Sequence, residues 1–189
     1  MAYFPFMKDI EGWQVLVVGG GREAFHKVRA FQGFGAHIRV IAPDMCSDIR
    51  QSEGVEIVLR DFRPEDLAGA DLVAAATRDK EKNRQIYRAA KEAGIPANAV
   101  DDVEYCDFIF PAIIRKDNYT VAVSTDGKSP LFARKIKEII GTAIPQAYDY
   151  VVGELGKARE SVKARYSSPK ERTAAFEEMA ERLLKEREE

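Results

Sequence analysis

Short apolar runs alternate with helical periodicities along the first hundred residues. Gln14-Val15-Leu16-Val17-Val18 is rich in β-branched side chains and carries no charge, the pattern of a strand buried on both faces. Gly19-Gly20-Gly21 follows at once. Ala24, Val28 and Phe31 then recur at i, i+4 and i+7, the apolar stripe of a helix, which is predicted to stop around Gly33 and Gly35. His37 to Ala42 reads as a second strand closed by Pro43. Strand, glycine turn, helix and strand make one βαβ unit, and such units imply a parallel sheet. Val55–Leu59 and Asp71–Thr77 predict two further strands, with a short helix opening at Pro64 between them. Asp79 is placed to cap a helix through about Ala93, with Gly94 as its stop. Ala97–Val100 is a brief fifth strand. Five strands with intervening helices predict a doubly wound α/β sheet.

After Val100 the pattern changes. Phe108–Arg115 and Tyr119–Ser124 are strand-like and separated by Lys116-Asp117-Asn118, a spacing that predicts an antiparallel hairpin. Ser129 precedes a proline at the first helical position, and this helix is expected to run to about Ile140, where Gly141 ends it. From Pro145 onward the chain reads as helical and charged. Ser168-Pro169-Lys170-Glu171 is a capping box opening a last helix, with Ala175, Met179 and Leu183 on one side. Residues 151–189 hold nine Lys/Arg and nine Glu. That balance predicts solvated helices packed on the rest of the chain or on a second subunit.

Composition narrows the classes of function. A chain of 189 residues fits one ordinary domain with a small companion, or two small domains. The net charge of −2, from 29 Lys+Arg against 31 Asp+Glu, argues against a nucleic-acid binder acting by bulk positive charge. No apolar run approaches the roughly 20 residues of a membrane span. The N-terminus lacks the basic and long apolar regions of a signal peptide. Cys46 and Cys106 form no CxxC pair, which sets aside a disulfide scaffold or a Cys-rich zinc site, and no other metal-ligand spacing is visible. A cytoplasmic protein with no nucleic-acid or membrane partner is expected.

Gly19-Gly20-Gly21-Arg22-Glu23-Ala24 fits G-x-G-x-x-A and stands between a buried strand and a helix. In that setting Gly19 permits the tight turn and Gly21 lets a pyrophosphate approach the backbone. The small Ala24 lets helix and strand pack closely. The helix N-terminus adds unpaired N–H donors for the phosphates. A dinucleotide is therefore expected. The second strand ends Ile41-Ala42-Pro43-Asp44, so the acidic residue that would meet a ribose, Asp44, comes two positions late. No arginine directly follows it to hold a 2′-phosphate, which favours NAD over NADP. Candidate cofactor contacts are Gly19, Gly20, Gly21, Arg22, Glu23, Pro43, Asp44, Ala76, Thr77 and Asn98.

Several motifs then fall in a recognisable order. Tyr3-Phe4-Pro5-Phe6 precedes the first strand, and Val17-Val18-Gly19-Gly20-Gly21 leads to Ala24 and Lys27. Asn98-Ala99-Val100-Asp101-Asp102 is followed by Phe108-Ile109-Phe110-Pro111-Ala112, then by Val121 through Pro130 (VAVSTDGKSP) and Ala133-Arg134. Together, over roughly residues 3–145, they resemble the precorrin-2 dehydrogenase family, the siroheme synthase N-terminal module. Ala99 stands where the family commonly has valine. Phe25-His26 stands where many members have a polar residue and an arginine.

The resemblance implies NAD-dependent oxidation of precorrin-2 to sirohydrochlorin, with insertion of Fe²⁺ in some members. It implies a Rossmann domain, a small dimerisation sheet and a helical C-terminal domain in a homodimer. Mapped here, these are expected at residues 1–113, 114–144 and 145–189. A following methyltransferase domain, present in some members, is not expected in a chain ending at Glu189. The family's general acid/base aspartate falls on Asp101, just past the end of a parallel strand, where such sheets place their sites. Asp102 is the neighbouring alternative.

A substrate bearing many carboxylates calls for basic groups. Arg115, Lys116, Lys128, Arg134 and Lys135 gather in the hairpin and the helix after it. Thr125, Lys128, Ser129, Pro130 and Arg134 are the candidate substrate contacts, although Ser129 also reads as a helix cap. His26, His37, Cys46 and Cys106 read as packing or surface residues. Two other functions stay open: an enzyme that also inserts Fe²⁺, and an NAD-binding regulatory module without chemistry.

Overall fold

The apolar runs of the first hundred residues become β1 (Gln14–Val18), β2 (His37–Ala42), β3 (Val55–Leu59), β4 (Leu72–Ala75) and β5 (Ala97–Ala99). In the computed structural model, which describes residues 3–187, they form one wholly parallel sheet in the order β3-β2-β1-β4-β5. The chain moves outward from β1 on one side and then starts again on the other with β4. The carboxyl ends of β1 and β4 therefore border the crevice where doubly wound sheets receive ligands.

β1 from Val15 on and all of β4 are apolar because helices cover both faces. Val17, Val73, Ala74 and Ala75 are fully buried. α1 (Arg22–Gln32) turns Ala24, Val28 and Phe31 onto the sheet, as its period predicts. α3 (Lys80–Glu92) buries Asn83, Ile86 and Ala90, and the Asp79 carboxylate accepts the Glu81 and Lys82 amides at 2.9 and 3.1 Å. The cap read from the sequence is thus in place. α2 (Ser47–Arg50) is a single turn too short to leave a periodic signature, and it was not predicted. Pro64–Leu67 and Val103–Tyr105 are 3₁₀ turns.

The chain divides into two compact units, with the boundary between Ile109 and Phe110. The second unit holds β6 (Ala112–Arg115) antiparallel to β7 (Thr120–Val123), then α4 (Pro130–Ala143), α5 (Ala147–Arg165) and α6 (Pro169–Lys185). The hairpin tip is fastened within this unit. The Asn118 amide donates to Asp149 Oδ1 at 2.9 Å, and its side-chain amide donates to the Asp149 carbonyl at 3.0 Å. The Ser168–Glu171 capping box forms as predicted.

Two expectations are corrected. The run from Phe108 is not strand until Ala112, because the Phe108 carbonyl is taken by the Asn98 side chain at 2.8 Å and Pro111 has no N–H to give a ladder. Gly141 does not end α4, which runs on to Ala143. A Cβ at Gly141 would make only an ordinary contact, 3.6 Å from the Ile114 side chain, and the glycine sits within a continuous helix. The whole is an α/β protein with a doubly wound parallel sheet, a small second sheet and a helical C-terminal region. Among the described residues no helix is long and apolar enough to cross a membrane.

Candidate functional site

The glycine loop lies directly on the switch point of the sheet. Gly19 has φ +135, and a Cβ there would sit 2.3 Å from the Ala76 carbonyl oxygen at the end of β4. Gly20 is closed in on the other side, where a Cβ would come within 1.8 Å of the Asp44 carbonyl oxygen. Its own carbonyl accepts the Cys46 amide at 2.8 Å, and the Gly19 amide donates to Ile41 at 2.9 Å. These two glycines are therefore required by the loop's own packing. Gly21 differs: nothing lies within 4 Å of a Cβ built on it. It caps α1 with no side-chain oxygen over the first amides. An open approach to a helix N-terminus is what a phosphate group requires. Ala24 is fully buried against the sheet, as the fingerprint predicts.

Arg22 and Glu23 are exposed in the first turn of α1. Pro43 and Asp44 are exposed beyond β2. The Asp44 carboxylate accepts the Met45 amide at 2.8 Å and the Arg50 guanidinium at 3.0 Å. Arg50 was invisible to the sequence reading because α2 was. Ala76 is buried, with its amide on Val18 at 2.7 Å. The Thr77 hydroxyl is engaged by the start of α3, 2.6 Å from Asn83 Oδ1, so its side chain is structural.

Asn98 sits in β5 and is 5% exposed. Its side-chain amide donates to the Phe108 carbonyl at 2.8 Å and to Cys106 Sγ at 3.2 Å, which fixes the amide's orientation. Oδ1 is left buried without a donor, a state that costs free energy unless a further group supplies one.

Two residues past β5, Asp101 is exposed and adopts a left-handed backbone, φ 60. Asp102 turns away and pairs with Arg84 of α3 at 2.7 Å, so the two carboxylates have separate surroundings. Lys27 of α1 is half-buried. Burial holds its ammonium below the ordinary lysine range, while the charges of Glu23, Cys106 and Asp101 pull it back up. Cys106 is half-buried, as expected of a packing residue. Its Sγ lies 3.2 Å from the carbonyls of Ala99 and Asp102, and burial pushes the thiol up from its ordinary value. Lys27 stands in a motif quoted above and Cys106 lies between two of them, but neither was singled out for the site, because the proximity of α1 to the end of β5 is a tertiary fact. His26 and His37 are exposed.

In the second unit, Thr125 and Ser129 bond to each other: the Ser129 amide donates to Thr125 Oγ1 at 3.1 Å, and Thr125 Oγ1 donates to the Ser129 carbonyl at 3.0 Å. Ser129 Oγ caps α4 by accepting the Phe132 amide at 3.3 Å. Asp126 (φ 52) and Gly127 (φ 76) make the tight turn between them. Lys128 and Arg134 are exposed, and Pro130 opens α4. This turn is a rigid frame with basic side chains at its surface.

The fold and loop define a doubly wound nucleotide-binding domain. The chain belongs to the family described as "Putative NAD(P)-binding", whose model matches residues 6–112. A second model, "Sirohaem biosynthesis protein central", matches residues 120–142. The chain is 37% identical over 182 residues to a siroheme synthase of Pseudomonas fluorescens (strain SBW25), a match covering 95% of this chain and 39% of that protein. It is 38% identical over 181 residues to a siroheme synthase of Photorhabdus laumondii subsp. laumondii, covering 94% of this chain and 38% of the relative. The chain thus spans about two fifths of the length of the curated relatives it matches. Among solved structures it is similar to SirC, precorrin-2 dehydrogenase, with a TM-score of 0.71 and 24% identity over 97% of this chain and 98% of that one. That likeness shows a shared fold.

Proposed function

We propose that this chain catalyses NAD-dependent oxidation of precorrin-2 to sirohydrochlorin in siroheme biosynthesis. The observation that carries the reading is the exposed Asp101 carboxylate, set by a left-handed backbone just past β5, at the same sheet edge as the open glycine loop. The relatives named siroheme synthase and the two matching family models support it.

The residues present fit a dinucleotide. Gly21 leaves room at the α1 N-terminus, and Asn98 Oδ1 is an acceptor without a donor. In this reading Gly19, Gly20, Gly21, Arg22 and Glu23 face the pyrophosphate. Pro43 and Asp44 face the adenosine ribose, where a carboxylate suits hydroxyl groups better than a 2′-phosphate. Ala76, Thr77 and Asn98 border the nicotinamide half. When bound, the nicotinamide ring takes up hydride from the substrate. Asp101 accepts the proton lost with that hydride, so the two hydrogens removed are accounted for. Lys27 offsets the charge of Asp101 without needing to be exposed. The frame from Thr125 to Pro130 holds Lys128 and Arg134 at the surface, cations of the kind a polycarboxylate requires.

The test is anaerobic. Purified protein, freshly generated precorrin-2 and NAD should give NADH absorbance and the sirohydrochlorin spectrum together. NAD binding with neither signal would leave a binding module and remove the enzyme reading. Adding Fe²⁺ to the same sample reads metal insertion, with Fe²⁺ as a second substrate.

We also propose a homodimer. Phe132, Ile136 and Ile139 recur at i, i+4 and i+7 on α4 and are 57%, 39% and 67% exposed. A two-stranded sheet is marginal alone and gains by pairing with a second copy. Light scattering at micromolar concentration should give twice the chain mass, and Phe132→Glu with Ile139→Glu should return it to one.

A further inference from the structure

Asp101 is fixed less by its own contacts than by those of the next residue. The Asp102 amide donates to the Ala99 carbonyl at 3.3 Å. The Asp102 carbonyl accepts from the Tyr105 amide at 3.0 Å and lies 3.2 Å from Cys106 Sγ. Its carboxylate, 13% exposed, accepts Nε of Arg84 at 2.7 Å. Arg84 comes from the middle of α3, a helix anchored by its Asp79 cap and its buried face. The same guanidinium lies over the Tyr105 ring at 5.0 Å. Arg88, one turn along, lies over that ring at 5.3 Å and donates to its hydroxyl at 3.2 Å. The loop after β5 is thereby clamped to α3 from Asp102 to Tyr105.

We propose that Arg84 is a positioning residue for the dehydrogenation: its ion pair with Asp102 holds Asp101 in its left-handed conformation and cancels the negative charge of Asp102 beside it. This rests on the reading of Asp101 as proton acceptor. Aspartate visits the left-handed region where neighbouring contacts support it, and here those contacts are made by the next residue, anchored on a rigid element. A second uncompensated carboxylate one residue away would oppose the ionised form of the acceptor. The other titratable groups around this loop are Lys27 from α1, Glu81, Arg88 and Lys91 from α3, and Glu104, Cys106 and Asp107 from the loop itself. Arg88 is paired with Glu81 at 3.2 Å and Lys91 with Asp107 at 2.5 Å. Arg84 is hydrogen-bonded to Asp102.

The experiment uses the full chain with precorrin-2 and NAD, recording kcat, KM for NAD and the pH profile of kcat/KM. Thermal unfolding monitors the folded fraction of every variant. Arg84→Gln should lower kcat about tenfold, leave KM for NAD within about twofold, and move the acidic limb upward by about half a pH unit. Arg84→Gln with Asp102→Asn should return the limb to its original place while kcat stays low, because no unpaired charge remains. Arg84→Lys keeps the charge but loses the Nε geometry. It should lower kcat without moving the limb, and it serves if Arg84→Gln does not fold. A limb unmoved in Arg84→Gln, or activity lost only in step with folded protein, overturns the proposal. Asp101→Asn is run alongside. If it retains turnover, the proton-acceptor reading falls and this proposal falls with it. If it is inactive while Arg84→Gln behaves as wild type, only the role of Arg84 is refuted.

Discussion

Asp101→Asn is expected to lower kcat for precorrin-2 oxidation by about a hundred- to a thousand-fold, the usual range for removing a positioned general base. The dissociation constant for NAD should stay within about twofold. Asparagine is the informative replacement here. It is isosteric with aspartate, and it is one of the few side chains that tolerate a left-handed backbone. The φ of 60 at this position is therefore retained. Alanine would add backbone strain to the loss of the carboxylate and mix two effects. The exposed side chain stabilises no packing, so the melting temperature should move by less than about 2 °C. Anaerobic NADH absorbance gives the rate, and a calorimetric titration gives NAD affinity. Turnover near the wild-type value would remove Asp101 from the chemistry. A rate collapse accompanied by lost NAD affinity would assign it to cofactor binding instead.

The sheet was legible because its signals are local. Val15–Val18, Val40–Ile41 and Val73–Ala76 are apolar on both faces, and only a strand covered by helices needs that composition. Asp79, Ser129 and Ser168 announced their helices because a cap is a property of four consecutive residues. Gly141 misled for the same reason. Within its own helix it reads as a stop, yet α4 continues to Ala143, because a glycine inside a helix weakens it without ending it.

The candidate site divides along the same line. The glycine loop and Asp44 were named from spacing, and Asp101 from the family resemblance. Arg84 could not be, because its partner Asp102 lies 18 residues away and the pair exists only once α3 is docked beside β5. Arg50 on Asp44 and Lys27 near Asp101 belong to the same class of fact. Asn98 was named from its place in a motif. That its Oδ1 is buried without a donor required the fold.

The three consecutive glycines predict opposite failures in adjacent variants. At Gly20 a methyl group would stand 1.8 Å from the Asp44 carbonyl oxygen and 2.8 Å from its carbon. Both are backbone atoms, so no rotamer change relieves the clash. The loop must move away from the end of β2 and strain the Cys46 amide bond to Gly20. Gly20→Ala should therefore destabilise the first unit by about 3 kcal/mol, a fall of roughly 10 °C in the melting temperature. At Gly21 the added methyl meets nothing within 4 Å, and its φ of −90 suits any residue. The loss there is that of a modest helix cap, less than about 1 kcal/mol. That empty space is where a pyrophosphate would approach the backbone. Gly21→Ala should accordingly fold with a melting temperature within about 3 °C of wild type and bind NAD at least about tenfold more weakly. Thermal unfolding and NAD titration of both variants separate the two roles. Normal NAD affinity in Gly21→Ala would place the cofactor elsewhere, and an unchanged melting temperature in Gly20→Ala would show that the contact with Asp44 yields easily.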